Sequence, residues 1–503
     1  MSFSNYLLLG LVYYIGSASI LTLGVGFFTL NRPIFAGLLA GLVLGEPQLG
    51  LLVGAVANLL FADYKSSKRA LDGDPVLMGI IAAVLAVRLS ITPAAALAIA
   101  FPFSLIGLAV SRGRLNFNQK CAHILKIKMG KRFTNGLTKY NILIPQVFLL
   151  GLTVTSASVI LLVTYSLSAT ALGMLPKLEI AFNTVGILLV MLAAASATLW
   201  FKSRYNILIF AIAYLVSVFL SFDIYLVLIV LLLFSIQKLA VKDSEKRKQK
   251  RIQNKDLIKS WFIWMNFSDS CFNFEFAQGI SFCQSIKPAL NRIYKGDREG
   301  REAATIRHFD FFKGDPILST SVIGHMIGVE EKKASDKRIK EITIADAKKG
   351  AMGAIASTEV MERQSAVAAI IILGMIYGVV SNEISFFVLS TLIMIGMTHY
   401  LSLKNMFDGY FLGEDGIIKS VNRINEIRIF KHAGKIFVIM LGLVVGEAIF
   451  NMLYSIQATN FRNGAASLLI LFVLFNYLIR KNIKIELIVL ALYGLNIVLL
   501  MFI

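Results

Sequence analysis

Charge is scarce in this chain. Asp, Glu, Lys and Arg make up 16% of its 503 residues, against 57% hydrophobic, and the mean hydropathy is +0.72. A soluble protein of this size carries a much larger charged fraction, so the composition excludes a soluble globular enzyme. Cysteine is scarcer still. Cys121, Cys271 and Cys283 form no CxxC pair and no metal-ligand spacing, which argues against a zinc module or a disulfide framework. Cys271 and Cys283 are expected on one helix, where they cannot bond to each other, and all three read as small apolar fillers. Also lacking are a phosphate-cradling glycine loop, a metal cluster and a nucleophile triad, so no cofactor is implied and the chain does not read as a self-contained enzyme. No basic residue precedes the first apolar run, so Met1 to Leu30 does not read as a cleaved signal peptide. No short-period repeat is present.

What is there is apolar and long. Runs near 6–30, 34–62, 76–110, 142–165, 182–200 and 206–236 reach or exceed the ~20 residues that a spanning helix needs, and further spans read near 364–380, 383–402, 436–457, 465–479 and 484–503. The expected fold class is an all-α, multi-span integral membrane protein. Three of the runs are too long for one simple helix and are interrupted: by "GEPQLG" (Gly45 to Gly50), by "ITP" (Ile91 to Pro93) and by "SFD" (Ser221 to Asp223). Irregular backbone at membrane depth is tolerated only where protein or a wet cavity surrounds it. In transporters, broken or re-entrant helices commonly build the substrate site; three in one half favour transport over packing kinks.

The formal net charge of +20 is concentrated. Ser111–Lys139 holds eight Lys/Arg and no acid, and Lys238–Lys259 holds nine against three, so these two stretches carry fourteen of the twenty charges. Basic loops beside spans mark the cytoplasmic face, a better reading than nucleic-acid binding. With these stretches and the loop at Lys202 and Arg204 on one side, 206–236 must cross an even number of times, as an in-and-out pair. Residues 238–259 read as a basic linker between a membrane half, 1–237, and a second half, 260–503. The second half divides into an amphipathic helical region (260–350) and further spans (351–503). Within the former, Phe276, Ile280, Cys283, Ile286, Leu290 and Ile293 recur at helical spacing. Glu275 and Gln278, one turn apart on the same expected helix, would share its polar face.

That stretch carries a resemblance. "CFNFEFAQGISFCQSIKPALNRIY" (Cys271 to Tyr294), "RHFDFFKGDPILSTSVIGHMIGVEEKKA" (Arg307 to Ala334) and "KKGAMGAIAS" (Lys348 to Ser357) follow in order as blocks of the IID membrane component of the mannose/fructose/sorbose sugar phosphotransferase system. "NRPIFAGLLAGLVLGEPQLGLLVGAVANLLF" (Asn31 to Phe61) resembles its companion IIC component, so the whole chain resembles a IIC–IID fusion. The resemblance implies a sugar permease of the bacterial inner membrane, expected as a homo-oligomer, served by cytoplasmic IIA and IIB partners that carry the phosphohistidines. Departures occur: Asn58 stands where the IIC family usually has Glu, and "STEV" (Ser357 to Val360), with Glu359 its acid, replaces a Gly-x-Gly-Asp.

Sugars are held by paired donors and acceptors in a partly dry pocket. The candidates are Glu46, Asn58, Asp74 and Asp223 in the first half, and Glu275, Gln278, His308 and Glu359 in the second. Bland readings stand beside them. Glu46 and Asp74 suit turn caps, Asn58 suits an interhelical hydrogen bond, and the Glu275 helix suits a surface amphipathic helix. His308, between Arg307 and Asp310, reads as structural or as a sugar-path residue. Alternatives to phosphotransferase coupling are a sugar or polar-solute transporter without phosphorylation, and a non-transporting membrane scaffold or sensor.

Overall fold

A computed structural model describes the chain except for residues 1, 19–25, 27, 63–70, 129–132, 175, 176, 202, 204, 221–251, 337, 357, 427, 457–459 and 501–503. The described residues are helical nearly throughout, with only isolated bridges joining Asn273 to Ala277 and Ala277 to Phe312. Among the described residues, six stretches are long and apolar enough to cross a membrane: 93–127, 136–173, 177–198, 384–412, 432–455 and 461–480. This is a multi-pass membrane protein.

Two of the interruptions seen in the sequence, at Gly45 to Gly50 and at Ile91 to Pro93, are helix breaks at a proline. Helices α1 (Phe3–Ser17), α2 (Pro33–Leu44), α3 (Pro47–Leu60), α4 (Pro75–Leu89) and α5 (Pro93–Ser104) follow in turn, and the last four each begin on a proline. Proline suits the first helical position because its fixed φ fits and its missing N–H was unpaired there anyway. Gly45, at φ +87°, ends α2 in the left-handed conformation that glycine adopts without steric cost. The α2–α3 hairpin is packed backbone to backbone: a Cβ on Gly37 would lie 2.4 Å from the Gly50 carbonyl oxygen, and one on Gly54 would lie 2.5 Å from that of Pro33. Gly37/Gly41 and Gly50/Gly54 each repeat at four residues, the spacing that lets membrane helices touch where no hydrophobic drive brings them together.

The second break lies between α4 and α5, where Thr92 caps α5 and bonds to the Asn183 side chain. After α6 (Ile106–Ile127) and α7 (Phe133–Thr138), a π turn over Lys139–Leu143 leads into α8 (Ile144–Met174) and α9 (Lys177–Thr198). Helix α10 spans Asn206–Leu220; the third interruption, Ser221 to Asp223, the expected returning limb of that pair and linker residues 238–251 lie outside the described residues.

The second half opens with short helices: α11 (Asn254–Phe267), α12 (Gly279–Ile293), α13 (Arg298–Arg307), α14 (Pro316–Ser335) and α15 (Glu341–Ile355). None is among the candidate spans. Then come α16 (Thr358–Val380), α17 (Ile384–Leu412), α18 (Glu414–Glu426), α19 (Arg428–Ser455), α20 (Phe461–Arg480) and α21 (Ile485–Leu500). The halves interlock in the apolar layer. Tyr214 of α10 donates to the Ala465 carbonyl, Asn476 of α20 to the Ala195 carbonyl, and Tyr493 of α21 to the Ala98 carbonyl.

Two local expectations are corrected. Glu275 and Gln278 do not share a helical face, because α12 begins only at Gly279. Cys271 lies in the preceding turn, not on a helix with Cys283. The physical cause is an Asx turn: Asn273 Oδ1 accepts from the Glu275 and Phe276 amides at 3.1 and 2.9 Å. Ala277 then sits at φ +48°, and the Gln278 amide donates to the Phe312 carbonyl. The apolar set Ile280, Cys283, Ile286 and Leu290 is buried on α12; Phe276 is buried ahead of it.

Candidate functional site

Within the hairpin, α3 carries Asn58 at 0% exposure. Neither its Nδ2 nor its Oδ1 has a hydrogen-bond partner among the described residues. An orphaned buried amide costs about 1–3 kcal/mol, so its retention needs a reason. The end of the same helix is tied down nearby: Arg32, 6% exposed, donates to the Phe61 carbonyl, placing a cation at the negative pole of α3.

The other first-half candidates divide. Asp74 is fully occupied: Oδ1 accepts the Leu77 amide at 2.9 Å, capping α4, and Oδ2 accepts the Tyr13 hydroxyl at 2.7 Å. Glu46 is exposed at the hairpin tip and makes no capping bond through its side chain. Asn58 and Asp74 therefore sit in different settings, one unsatisfied and one saturated.

The loop that precedes α12 is a polar seam between the halves. Arg114 of α6 donates to the carbonyls of Ser17 and Asp269, both at 2.8 Å. Asn118 Nδ2 donates to the Phe272 carbonyl at 2.9 Å, and Ser270 Oγ to the Asn141 carbonyl at 2.8 Å. Gln146 donates to Ser270, Ser281 to Asn141 and Gln284 to Thr138. Glu275 reaches His123 at 2.9 Å and Lys126 at 3.5 Å, all of them part-exposed. Gln278, 5% exposed, donates to Asp269 and accepts the Gly314 amide. The polar stripe thus matches one half to the other. Burial raises the Cys271 and Cys283 thiols, the latter to about 12, so neither is a ready nucleophile.

Because this seam and the interlocked spans join the halves without the linker, two chains, residues 1–240 and 255–503, are expected to co-purify as a stable complex when co-expressed. Affinity pull-down followed by size-exclusion chromatography checks it. Failure of the fragments to associate would show that the covalent link is essential.

His308 lies in a second, closed network. Its Nε2 is 2.9 Å from Glu330 Oε1, and Glu330 Oε2 accepts the Tyr294 hydroxyl at 2.9 Å. Arg307 Nε lies 3.2 Å from Glu330, and its Nη1 reaches Glu341 at 3.0 Å. Glu330 is 0% and His308 1% exposed. Burial holds the His308 imidazole below its ordinary range, Lys348 and Arg307 adding to this against the pull of Glu330; the ring is neutral and donates to the carboxylate. Burial alone would raise Glu330, but His308, Arg307 and Tyr294 outweigh it and keep the carboxyl low. Lys348 spans the back of the network, donating to the carbonyls of His308 and Asp310 at 2.9 and 3.3 Å and lying 4.7 Å over the Phe282 ring. Its burial lowers the ammonium to about 8. Within the network His308 Nε2, both Glu330 carboxylate oxygens and the Tyr294 hydroxyl are engaged, while Arg307 Nε has no hydrogen-bond partner among the described residues.

Glu359 lies on α16, its side chain outside the described residues. Glu330, Lys348, Arg114 and Asn141 were not among the sequence candidates. The adjacent Glu330–Glu331 pair and the lysine of "KKGAMGAIAS" stood in the motif blocks, but their partners are set by contacts across many residues.

Two family profiles match the chain. The "PTS system sorbose-specific iic component" matches residues 3–237, and the "PTS system mannose/fructose/sorbose family IID component" matches residues 251–503. Among curated relatives, the mannose-specific EIID component of Escherichia coli K12 is 31% identical over 116 residues, which is 23% of this chain and 41% of that protein. The fructose permease IID component of Bacillus subtilis 168 is 36% identical over 109 residues, 22% and 39% of the two chains. The N-acetylgalactosamine permease IIC component 1 of Escherichia coli K12 is 30% identical over 94 residues, 18% and 35%. The chain thus matches about two fifths of the length of these relatives. A chain from a mannose transporter solved by cryo-EM with a microcin is 21% identical, covering 50% of this chain and 97% of that one with a TM-score of 0.28. With the IID profile spanning half its length and the IIC profile most of the rest, the chain belongs to the mannose/fructose/sorbose family of phosphotransferase-system membrane components, IIC and IID in one polypeptide.

Proposed function

We propose that this protein is the sugar-translocating part of a phosphotransferase permease in the bacterial inner membrane. Sugar crosses between broken helices, and a separate cytoplasmic IIB protein, itself charged by IIA, phosphorylates it on emergence. Residues 1–237 and 260–503 act as two modules joined by 238–259, in a homo-oligomer. The observation that carries the reading is the unpartnered, fully buried amide of Asn58 in a membrane hairpin. A carboxamide offers a paired donor and acceptor, the combination that a sugar hydroxyl completes. The relatives' names supply the substrate class: mannose, sorbose, fructose and N-acetylgalactosamine.

Asn58→Leu is expected to lower sugar uptake on the order of tenfold, since a lost polar contact in a dry site costs about 1–3 kcal/mol. The amount of folded protein should be unchanged or higher, because an orphaned polar group is removed. Radiolabelled uptake of those four sugars, in cells with and without IIA/IIB, provides the measurement. Unaltered uptake by a well-folded Leu variant would reject Asn58 as a sugar contact. Uptake that persists without IIA/IIB would reject the coupling.

A further inference from the structure

Where α11 meets α12, outside the network and the hairpin already described, a cleft of about 510 Å³ opens whose walls carry Asp256, Lys259, Lys287, Arg292 and Lys295. Four cations face one carboxylate there. Lys287 is partly buried there, and burial, with the nearby Arg301, lowers its ammonium. The carboxylate is itself unusual: Asp256 is 8% exposed, and its Oδ2 has no hydrogen-bond partner among the described residues. An anion matches the four cations, and a hydroxyl on it would have Asp256, in the wall of the cleft, as an acceptor.

The position of α11 says where such an anion comes from. Ile258 and Phe262, one turn apart, are 43% and 47% exposed, and Lys255 and Lys259 lie exposed on the same side. Mixed lysines and large apolar side chains on one outward face are the pattern of a helix lying in a lipid interface. On its inner side, Trp261 Nε1 donates to Ser402 Oγ at 2.9 Å, and its ring packs edge-on against His399. Both partners sit on α17, next to Tyr400 and Lys404, whose ammonium lies 5.8 Å over the Tyr400 ring. Trp, Tyr and Lys gathered at one level of a spanning helix mark the membrane–water boundary. Helix α11 also follows directly on the basic linker, on the side where the positive-inside rule puts the cytoplasm.

We propose that this cleft seats the headgroup of an anionic phospholipid of the cytoplasmic leaflet, with phosphatidylglycerol the best fit. Its phosphodiester lies among Lys259, Lys287, Arg292 and Lys295, a glycerol hydroxyl donates to Asp256, and its acyl chains run along Ile258 and Phe262. Basic groups at a membrane surface each add to anionic-lipid affinity, and the headgroup hydroxyl gives selectivity beyond charge. A lipid held there would also brace α11 against α17 and the loop that joins the two halves.

Two of the chain's three tryptophans, Trp261 and Trp264, stand on α11 and serve as the probe. The purified full-length chain, in nanodiscs of phosphatidylcholine, is titrated with brominated-chain phosphatidylglycerol or with brominated-chain phosphatidylcholine, and tryptophan quenching is followed. Phosphatidylglycerol is expected to quench at a mole fraction roughly tenfold lower. The double variant Lys259→Gln/Lys295→Gln, at two exposed positions, is expected to lose that preference at an unchanged melting temperature. Asp256→Asn should reduce the preference for phosphatidylglycerol over phosphatidylserine while keeping that over phosphatidylcholine. Equal quenching by the two brominated lipids, or an intact preference in the double variant, would overturn the proposal. So would competition by millimolar glycerol 3-phosphate that removes the preference, which would assign the cleft to a soluble phosphate ester. High-affinity binding of a purified IIB protein that the double variant abolishes, with no lipid preference, would assign it to the partner protein.

Discussion

Glu330→Ala is expected to prevent the protein from accumulating in folded form. The carboxylate is fully buried and bonded to Tyr294 and His308, with Arg307 within ion-pair distance. Removing one partner of a buried charged cluster typically costs about 3–5 kcal/mol, because the remaining groups stay desolvated and unmatched. Against a total stability of about 5–15 kcal/mol, that is a large fraction. Glu330→Gln keeps the volume and one acceptor but leaves Arg307 with only the exposed Glu341 as counter-charge, so an intermediate loss is expected. Fluorescence-detected size-exclusion chromatography and the thermal midpoint in detergent give the readout. A Glu330→Ala protein that is monodisperse and melts with the parent would show that the network is dispensable, reopening a transport role for His308.

Gly50→Val is expected to abolish uptake and to destabilise the first half. A Cβ at Gly50 would lie 2.4 Å from the Gly37 carbonyl oxygen and 2.7 Å from the Gly41 Cα. These are backbone atoms, so relief requires the two limbs of the hairpin to move apart. Overpacking a well-packed interior commonly costs about 1–3 kcal/mol, and the added isopropyl group exceeds that case because no side chain can turn aside. Separating α2 from α3 also displaces Asn58, two turns further along α3. Gly50→Ala should show a milder form of the same defect. Gly151→Val on α8 is the control, since nothing stands within 4 Å of a Cβ there. Uptake by Gly50→Val equal to that of Gly151→Val would mean that the hairpin tolerates opening and that its tight packing is unrelated to transport.

Hydropathy, proline placement and charge distribution were readable from the chain because each acts locally. An apolar run of spanning length must leave water wherever it sits. A proline must start a helix or break one, and so Pro47 and Pro93 announced the broken hairpins. The basic stretches carry an expectation of sidedness without reference to any partner. The ordered motif blocks, too, could be aligned by eye. Asn58 stood out only because it interrupted an apolar run.

The stretch Cys271 to Gln278 was misread as helix for a reason that its own residues do not contain. Its spacing fits a helix, but Asn273 closes an Asx turn and the Gln278 amide is taken by Phe312, 34 positions away along the chain. The loop then finds its donors on Arg114 and Asn118, in the other half. Glu330 joins His308 across 22 positions and Tyr294 across 36, so the partners of His308 are decided by the folded core. By itself, the sequence determined that the chain spans a membrane, where two of its helix breaks fall and which family it resembles. The tertiary structure alone decided which polar residues are satisfied and which are not, because a hydrogen bond between distant residues exists only once packing has excluded water from both.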